Sequence, residues 1–311
     1  MFEFLKGGVQ PADTLVNSRL AMRTTQFLTV IFLLAPLAGT VYAVFHLWSG
    51  LTSLKDIYLF IGFYVATALG VTIGFHRMLT HKSFETNPIL RGFFLILGAW
   101  AIQGAAISWA ALHAKHHTYS DTDDDPHSPV KNFAHGHVTW MLGPLRAEPE
   151  KYVKSQLQDP VVMFVSRTAF FWAVLGMLLP FFIGGFSGFL WGGLVRVFVL
   201  HHVTWAVNSV CHTFGSRTYE TAGSDHSTNN WLVGLLSMGE GWHNNHHAFP
   251  RSAYHGLKRR QVDVTGYIIR VLGMLGLAKN ITTISPELRD SRAKKGPGGS
   301  PPSVTEPVGA G

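Results

Sequence analysis

The sequence has few charged residues and a single cysteine, and both shortages narrow the class of protein. Asp, Glu, Lys and Arg make up only 14% of its 311 residues, whereas 47% are apolar; a soluble domain carries roughly a quarter charged residues. This deficit indicates a chain that lies largely within a lipid bilayer. The lone cysteine, Cys211, excludes an intramolecular disulfide, and nothing suggests an oxidising compartment.

Boundaries and cofactor signatures are missing as well. No small-residue cleavage pattern follows a short apolar core near the start, so no cleaved signal peptide is expected, and no polar linker divides the middle of the chain. We predict an N-terminal cytoplasmic segment at residues 1–25 and one membrane domain at residues 26–288. Gly, Pro and Ser dominate the end of the chain, which predicts a disordered tail at residues 289–311. There is no haem, flavin or nicotinamide fingerprint.

Four apolar stretches are long enough to cross a hydrocarbon core, which takes about 20 helical residues. They are Gln26–Trp48, Ile57–Phe75, Val161–Ile183 and Phe186–Cys211. A short loop separates the first two, and little more than Gly184 and Gly185 separates the second two, so each pair is predicted to form a helical hairpin. A fifth stretch, Ile89–Ala111, is interrupted by Gln103 and Gly104, and it either crosses the bilayer or lies buried or in the interface.

The positions of Lys and Arg decide between four and five crossings. Basic residues fall before the first stretch, between residues 76 and 160, and after residue 250, whereas the two hairpin turns hold almost none. Four crossings place all three basic regions on the cytoplasmic side, and five do not. We therefore predict an all-α integral membrane protein with four transmembrane helices as two hairpins and both termini in the cytoplasm. The net charge of +7 follows from this bias and does not indicate nucleic-acid binding.

Nine of the 17 histidines fall into four clusters at or just beyond the predicted cytoplasmic helix ends. They are His76, His81, His113, His116, His117, His212, His243, His246 and His247. Helix positions i, i+3 and i+4 share one face, so each HxxHH cluster, at 113–117 and at 243–247, can converge on one point. Asn208 precedes His212 by four residues and can face the same point. The five-residue spacing of the first cluster predicts a helix end that unwinds within it.

These clusters predict metal ions. Imidazole ligands alone favour Fe, Zn, Cu or Ni over Mg or Ca, which prefer oxygen. Nine imidazoles exceed the needs of one octahedral ion, so two ions are expected, each with four or five nitrogen ligands and an open position. The isolated His46, His226 and His255 are interpreted as ordinary surface or core residues, and the histidines at 201–202 as structural residues.

Charged residues follow two of the clusters. An acidic run holds Asp121, Asp123, Asp124 and Asp125. We interpret these carboxylates as a solvated loop or as partners of histidine N–H groups, in preference to direct metal ligands. Glu240 is predicted to orient His243 in the same way. The basic residues 258–260 either set the topology or dock an acidic partner by electrostatic steering.

Together these motifs resemble the membrane fatty acyl desaturase family. HxxxxH and two HxxHH clusters occur with NSxxH at 208–212, and residues 74–77 (GFHR), 125–128 (DPHS), 137–140 (HVTW) and 239–244 (GEGWHN) resemble the stearoyl-CoA type and its bacterial relatives. The likeness covers roughly Tyr58 to Pro250. It implies four spanning helices under a cytoplasmic helical cap that holds a di-iron site.

The resemblance also implies how the two irons are held. One iron is expected on His76, His81, His113, His117 and His246. The other is expected on His116, His212, His243 and His247, and on Asn208 through a water molecule.

The implied activity is O2-dependent formation of a cis double bond, at the delta-9 position, in a long-chain acyl-CoA, or alternatively in an acyl-lipid. Ala111 and Leu112 stand where eukaryotic acyl-CoA members have a charged pair. The acyl chain is expected in a bent tunnel lined by Gln103, Trp109 and Trp205. Because no cytochrome b5-like domain is present, electrons are expected from a separate carrier, a ferredoxin or a cytochrome b5 with its reductase.

Two other functions share part of this pattern. A membrane di-iron hydroxylase uses the same chemistry, but the hairpin layout and the NSxxH element favour desaturation. A histidine-rich metal transporter would hold its ligands within the spans at mid-membrane, whereas here the clusters lie at the predicted cytoplasmic ends.

Overall fold

The computed structural model describes residues 19–143 and 147–294, which are mostly helical. The α-helices are α1 (Arg19–Trp48), α2 (Leu54–Leu69), α3 (Pro88–Ala99), α4 (Ala106–Tyr119), α5 (Phe133–His137), α6 (Pro149–Tyr152), α7 (Pro160–Arg167), α8 (Ala169–Gly188), α9 (Arg196–Ser209), α10 (Trp231–Leu236), α11 (His243–Ala248), α12 (Val264–Met274) and α13 (Pro286–Ser291). Two π-helical segments, Gly70–Thr80 and Phe189–Val195, follow α2 and α8, and short 3₁₀ helices lie at Thr139–Leu142 and Gln156–Gln158. Strands β1 (Glu85–Thr86) and β2 (Ala278–Lys279) form one antiparallel pair.

Three helical runs in the described chain are long and apolar enough to cross a membrane. They are Thr29–Trp48, Leu54–Thr80 and Ala169–Ser209. The stretch Ile89–Ala111 holds no such run, because it is divided between α3 and α4, which have only 12 and 14 residues. A crossing takes about 20 helical residues, so neither α3 nor α4 is long enough to span a membrane by itself.

The third run reverses direction at Gly185. This glycine has φ 62° and ψ −152°, a conformation that is open almost only to glycine. In a straight helix Gly176 and Arg196 would lie about 30 Å apart, yet the Arg196 guanidinium donates a hydrogen bond to the Gly176 carbonyl at 2.9 Å. Helices α8 and α9 therefore pack side by side, and the reversal falls at the turn that the sequence predicted.

The π-helical segment Gly70–Thr80 packs very closely on α3. A Cβ atom on Gly74 would lie 2.7 Å from the Phe94 carbonyl oxygen, so a larger residue would force the two helices apart. The core around this contact is fully buried and includes Ile73, Phe75, Leu95 and Ile107. Close packing of this kind leaves little freedom to shift, and it fixes the position of the segment that carries His76 and leads into His81.

The predicted N-terminal segment is shorter than expected. Helix α1 already begins at Arg19, so residues 19–25 continue the first helical run, and the remaining part, residues 1–18, lies outside the described residues.

The prediction of a disordered tail from residue 289 is wrong for residues 289–294. Ala293 forms a β-bridge with Tyr219, and the Lys294 N–H donates to the Thr218 carbonyl at 2.9 Å. These partners lie about 75 residues away in the sequence, so the composition of the tail alone gives no sign of them. Residues 295–311 lie outside the described residues.

Arg292 ties this end of the chain to the end of α11. Its guanidinium donates to the Ala248 carbonyl and lies over the Phe249 ring, 5.4 Å from the ring centroid. A cation–π contact contributes about 0.5–1 kcal/mol, and a hydrogen bond from a charged donor about 1.5–3 kcal/mol.

Two truncations test this tie. A chain that ends after Lys294 is expected to unfold at the temperature of the full chain, because the composition beyond it predicts no buried surface. A chain that ends after Asp290 is expected to lose about 2–4 kcal/mol of unfolding free energy, since it lacks Arg292 and the contacts that Arg292 makes with Ala248 and Phe249. Thermal unfolding of the purified proteins in detergent measures both, and Arg292→Ala in the full chain reproduces most of the loss. Equal unfolding temperatures for both truncated chains contradict the role of Arg292.

Candidate metal centre

His76 and His81 stand at the end of the π-helical segment Gly70–Thr80. The His81 N–H donates to the His76 carbonyl at 3.1 Å, the i to i+5 pattern of a π-helix. This wide turn places residues five apart on one face, and the two ring centroids are 4.7 Å apart. The predicted unwinding between these residues is therefore wrong, because the helix widens between them and ends only at Thr80. π-Helical turns are frequent at functional sites.

The nine clustered histidines converge as two groups. The five-histidine group contains His76, His81, His113, His117 and His246, and the four-histidine group contains His116, His212, His243 and His247. Within each group one ring nitrogen from every member lies within 4.8 Å of all the others. Each HxxHH cluster is divided between the groups, since helices α4 and α11 both lie between the two points of convergence.

The spacing within the groups is that of metal ligands. Neighbouring Nε2 atoms are 2.8 to 3.1 Å apart in the five-histidine group and 3.1 and 3.3 Å apart in the four-histidine group. Two metal–nitrogen bonds of about 2.1 Å at a right angle place their nitrogens about 3.0 Å apart. The Nε2 atom of His212 is buried without a hydrogen-bond partner among the described residues. Donor type and spacing therefore fit one transition-metal ion in each group.

Three aspartates contact the Nδ1 atoms of the four-histidine group. Asp125 accepts from Nδ1 of His116 at 2.9 Å, Asp121 accepts from Nδ1 of His212 at 2.7 Å, and Asp225 contacts Nδ1 of His247. A carboxylate on Nδ1–H fixes the tautomer and turns the Nε2 lone pair inward.

Two residues of the predicted acidic run thus contact histidines. Burial opposes their ionisation, but bonds from His212 and His116 hold the pKa of Asp121 and of Asp125 below the usual range. Asp123 and Asp124 are exposed in the loop. Asp225 was missed, because it lies alone in sequence, 22 residues before the histidine that it contacts.

Glu240 supports the five-histidine group. Its Oε2 lies 2.6 Å from Nδ1 of His76 and 3.2 Å from Nδ1 of His255. The predicted partner, His243, is wrong: Glu240 precedes α11 and reaches back to the π-helical segment, whereas His243 faces the four-histidine group. His255 is buried against His246, with ring centroids 4.5 Å apart. It is a core residue, as expected, but it also belongs to this network, which its isolated position in the sequence does not indicate.

A buried arginine completes the support. Arg77 is fully buried and donates to both Oδ atoms of Asp263, to Oε1 of Glu240 and to the Ala253 carbonyl, at 2.8 to 3.2 Å. Asp263 also accepts from the Gly266 N–H at the start of α12. Burial disfavours the charged carboxyls, but the surrounding cations hold the pKa of Glu240 and of Asp263 below the usual range.

The histidines themselves favour the neutral, metal-binding form. Burial, reinforced by neighbouring imidazoles, lowers the pKa well below its usual range for His81, His113, His117, His243, His246 and His247. His116 differs: burial lowers its pKa, but Asp125 outweighs burial and raises it. Coordination by a metal requires the neutral ring, so most of the cluster is ready to bind without losing a proton.

An apolar pocket reaches both groups. Trp109 and Asn208 line it together with His76, His113 and His243. Its other walls come mostly from α2, the π-helical segment Gly70–Thr80 and α9, whose side chains there are mostly aliphatic. The largely apolar lining suits a hydrocarbon chain.

The three residues predicted to line a tunnel fall in different places. Trp109 lines the pocket. Gln103 lies behind the wall, where it donates to Thr204 at 3.0 Å and accepts from Trp109 Nε1 at 3.1 Å. Trp205 lines a separate cavity between α1 and α9, because it points to the other face of α9 from Thr204.

His201, His202 and His46, which lie outside the groups, have hydrogen-bonding partners. His201 donates to the Ala101 carbonyl at 2.8 Å, and His202 lies 3.0 Å from His137, which agrees with a structural role for both. His46 lies 2.8 Å from the Tyr42 hydroxyl, and His226 is exposed.

The part of the chain that holds the histidine groups is similar to known proteins. A family model described as fatty acid desaturase matches residues 57–267. An sn-1 stearoyl-lipid 9-desaturase of Anabaena variabilis is 42% identical over 70% of this chain and 80% of its own length. An acyl-CoA C20 delta5-desaturase of Anemone leveillei is 40% identical over 70% of each chain. A hex-5-enoyl-[acyl-carrier protein] acetylenase of Moorena producens is 33% identical over 94% of this chain and 96% of its own.

Proposed function

Because this chain belongs to the fatty acid desaturase family, we propose that it forms a cis double bond in a long-chain acyl group, using O2 and electrons from a separate carrier protein. The observation that carries this proposal is that members of both histidine groups line one apolar pocket. An unactivated methylene group needs a metal oxidant, since side-chain acid–base chemistry cannot cleave its C–H bond.

Two irons fit the two groups. The five-histidine group would hold one, and the four-histidine group would hold the other, with Asn208 contributing through water. Bound iron supplies the reduction of O2 and the cleavage of C–H bonds. The four carboxylates hold the rings in place, and the pocket walls keep water away from the reacting carbons.

The residues just before the second histidine cluster and the activities of the relatives support a particular acyl substrate. We assign the delta-9 position of a lipid-linked acyl chain, with acyl-CoA as the alternative. Ala111 is buried and Leu112 half-buried, so this edge of the site has no charged pair to hold a CoA headgroup. The relative from Anabaena variabilis is a stearoyl-lipid 9-desaturase. The relatives that act at position 5 and on a carrier-protein substrate are the reason that bond position needs a direct test.

The proposed placement in the membrane has four crossings, with the histidine groups and both termini on the cytoplasmic side. Support comes from the reversal at Gly185, which divides Ala169–Ser209 into two helices, and from the excess of Lys and Arg outside the hairpin turns. A cytoplasmic cap is then formed by the chain after α4 and after α9.

Fatty-acid analysis of a host that expresses the chain tests the function. The expected result is a new monounsaturated acid with its bond at carbon 9, enriched in membrane glycerolipids before it appears in acyl-CoA. A host that makes the His116→Ala protein to equal levels serves as the control and gives no new acid. A hydroxylated acid in place of the unsaturated one would show that the reaction is hydroxylation. The absence of any new product from an iron-loaded protein would contradict the proposal.

Electrons are proposed to enter at the exposed basic turn of residues 258–260. The Lys258 N–H donates to Gln261 Oε1, and Asn245 Nδ2 donates to the same oxygen, both at 2.9 Å. Asn245 immediately precedes His246 in α11, so the turn lies directly behind a ligand of the five-histidine group. A carrier with an acidic surface suits this turn, because opposite charges speed encounter and the effect weakens with salt.

Neutralising Lys258, Arg259 and Arg260 together is expected to slow reduction by a ferredoxin or cytochrome b5 about tenfold or more at low salt. The salt dependence of the rate is expected to flatten as well. Stopped-flow reduction of the iron-loaded protein measures both.

The matched control neutralises Lys151, Lys154 and Lys279, three exposed lysines elsewhere, and so changes the net charge equally. Wild-type rates in the first variant, or the same slowing in the control, contradict docking at residues 258–260.

A further inference from the structure

The two histidine groups are supported by unequal numbers of carboxylates. Three of the four members of the four-histidine group contact an aspartate through Nδ1. In the five-histidine group the corresponding ion pair is that of His76 with Glu240.

The surrounding charges increase the difference. Glu240 and Asp263 share the buried guanidinium of Arg77, so this set carries one net negative charge. Within residues 19–143 and 147–294, the ion pairs of Asp121, Asp125 and Asp225 are with imidazoles. These three carboxylates therefore bring three negative charges to the four-histidine group, and all three are buried.

A carboxylate that accepts from Nδ1–H makes the opposite ring nitrogen a stronger electron donor. A buried negative charge also stabilises a more positive ion nearby, since attraction between charges is stronger at low dielectric constant. Both effects favour the ferric over the ferrous state. Three carboxylates exert both effects on the four-histidine group. In the five-histidine group one carboxylate, Glu240, exerts them, and the charge of Arg77 largely compensates it.

We propose that the two irons have unequal reduction potentials, and that the iron in the four-histidine group is oxidised first. Asp121, Asp125 and Asp225 are then positioning residues that set the order of electron loss, and Arg77 raises the reduction potential of the iron in the five-histidine group by neutralising Glu240. The inference rests on the proposed two-iron site. In the first step one electron passes from the iron in the four-histidine group to an added outer-sphere oxidant such as ferricyanide. The ferricyanide becomes ferrocyanide, and no covalent bond changes.

Redox titration of the full-length iron-loaded protein, followed by Mössbauer spectroscopy, tests the order. The wild-type protein is expected to lose its two electrons in separate steps, with at least a tenfold difference between the two equilibrium constants, about 59 mV for one electron. Asp125→Asn is expected to shift the first step by at least this amount toward easier reduction and to leave the second in place.

Glu240→Gln is the matched control, because it removes one carboxylate from the other group. It is expected to shift the second step and to leave the first. Asp125→Glu retains the charge and is expected to restore the first step. If these carboxylates had only a structural role, the variants would change the iron content but would not shift one redox step selectively.

Several results would overturn the inference. These are a single two-electron step in the wild-type protein, a shift of the second step by Asp125→Asn, or the same step shifted by both variants. If a variant loses iron, the titration of the wild-type protein still shows whether the two potentials differ. Iron content and product formation report on the proposed function separately, so an active two-iron enzyme with equal potentials would reject this inference alone.

Discussion

Replacing His247 by alanine is expected to abolish unsaturated product, a loss of at least roughly 100-fold, while the protein stays in the membrane. His247 contacts Asp225 through Nδ1, and its Nε2 lies 3.1 Å from Nε2 of His243, so its loss opens the four-histidine group. The apolar helical runs lie elsewhere in the chain and still insert. Product is measured by fatty-acid analysis and iron by elemental analysis of the purified variant.

His226→Ala is the matched control for this change. His226 lies beside Asp225 in the same loop, but its side chain is exposed, and only its backbone N–H bonds to Asp121. The control is expected to keep both irons and full activity. Activity near the wild-type level in a well-folded His247→Ala protein would remove this residue from the site.

Replacing Arg77 by alanine is expected to destabilise the fold by about 3–5 kcal/mol. The change leaves Glu240 and Asp263 buried without the cation that they share, and an uncompensated buried charge is costly. Because Glu240 then loses its fixed position behind His76, iron content is expected to fall as well. Unfolding in detergent by added denaturant measures the first effect, and elemental analysis the second.

Arg259→Ala gives the comparison, since Arg259 is exposed and surface changes usually stay within about 0.5 kcal/mol. Arg77→Met fills the same space without charge and separates packing from electrostatics. If Arg77→Ala were as stable as the Arg259 variant, the buried ion network would not hold this part of the fold together.

The sequence predicted the features that depend on local spacing. Helical positions three and four apart face one way, so the convergence of each HxxHH cluster follows from its own helix. The reversal at Gly185 follows equally from two adjacent glycines between apolar stretches. The family resemblance, which the comparisons confirm, implied the same two sets of histidines that the structure brings together.

Features that depend on distant contacts were not predicted. Glu240 reaches His76 across 164 positions of sequence, and Asp225 and His255 have no motif of their own. Gly74, within the π-helical segment that carries His76, packs closely against α3, which spacing alone does not indicate. Trp205 stands next to Thr204, but adjacent helical residues point in different directions, so only one of them faces the pocket.

The central claim is that this chain is a two-iron enzyme, and the iron content of active protein tests it most directly. The purified protein, handled without oxygen and shown to form unsaturated product, is expected to contain two irons per chain by elemental analysis. Either one iron or none in protein with that activity would contradict the account.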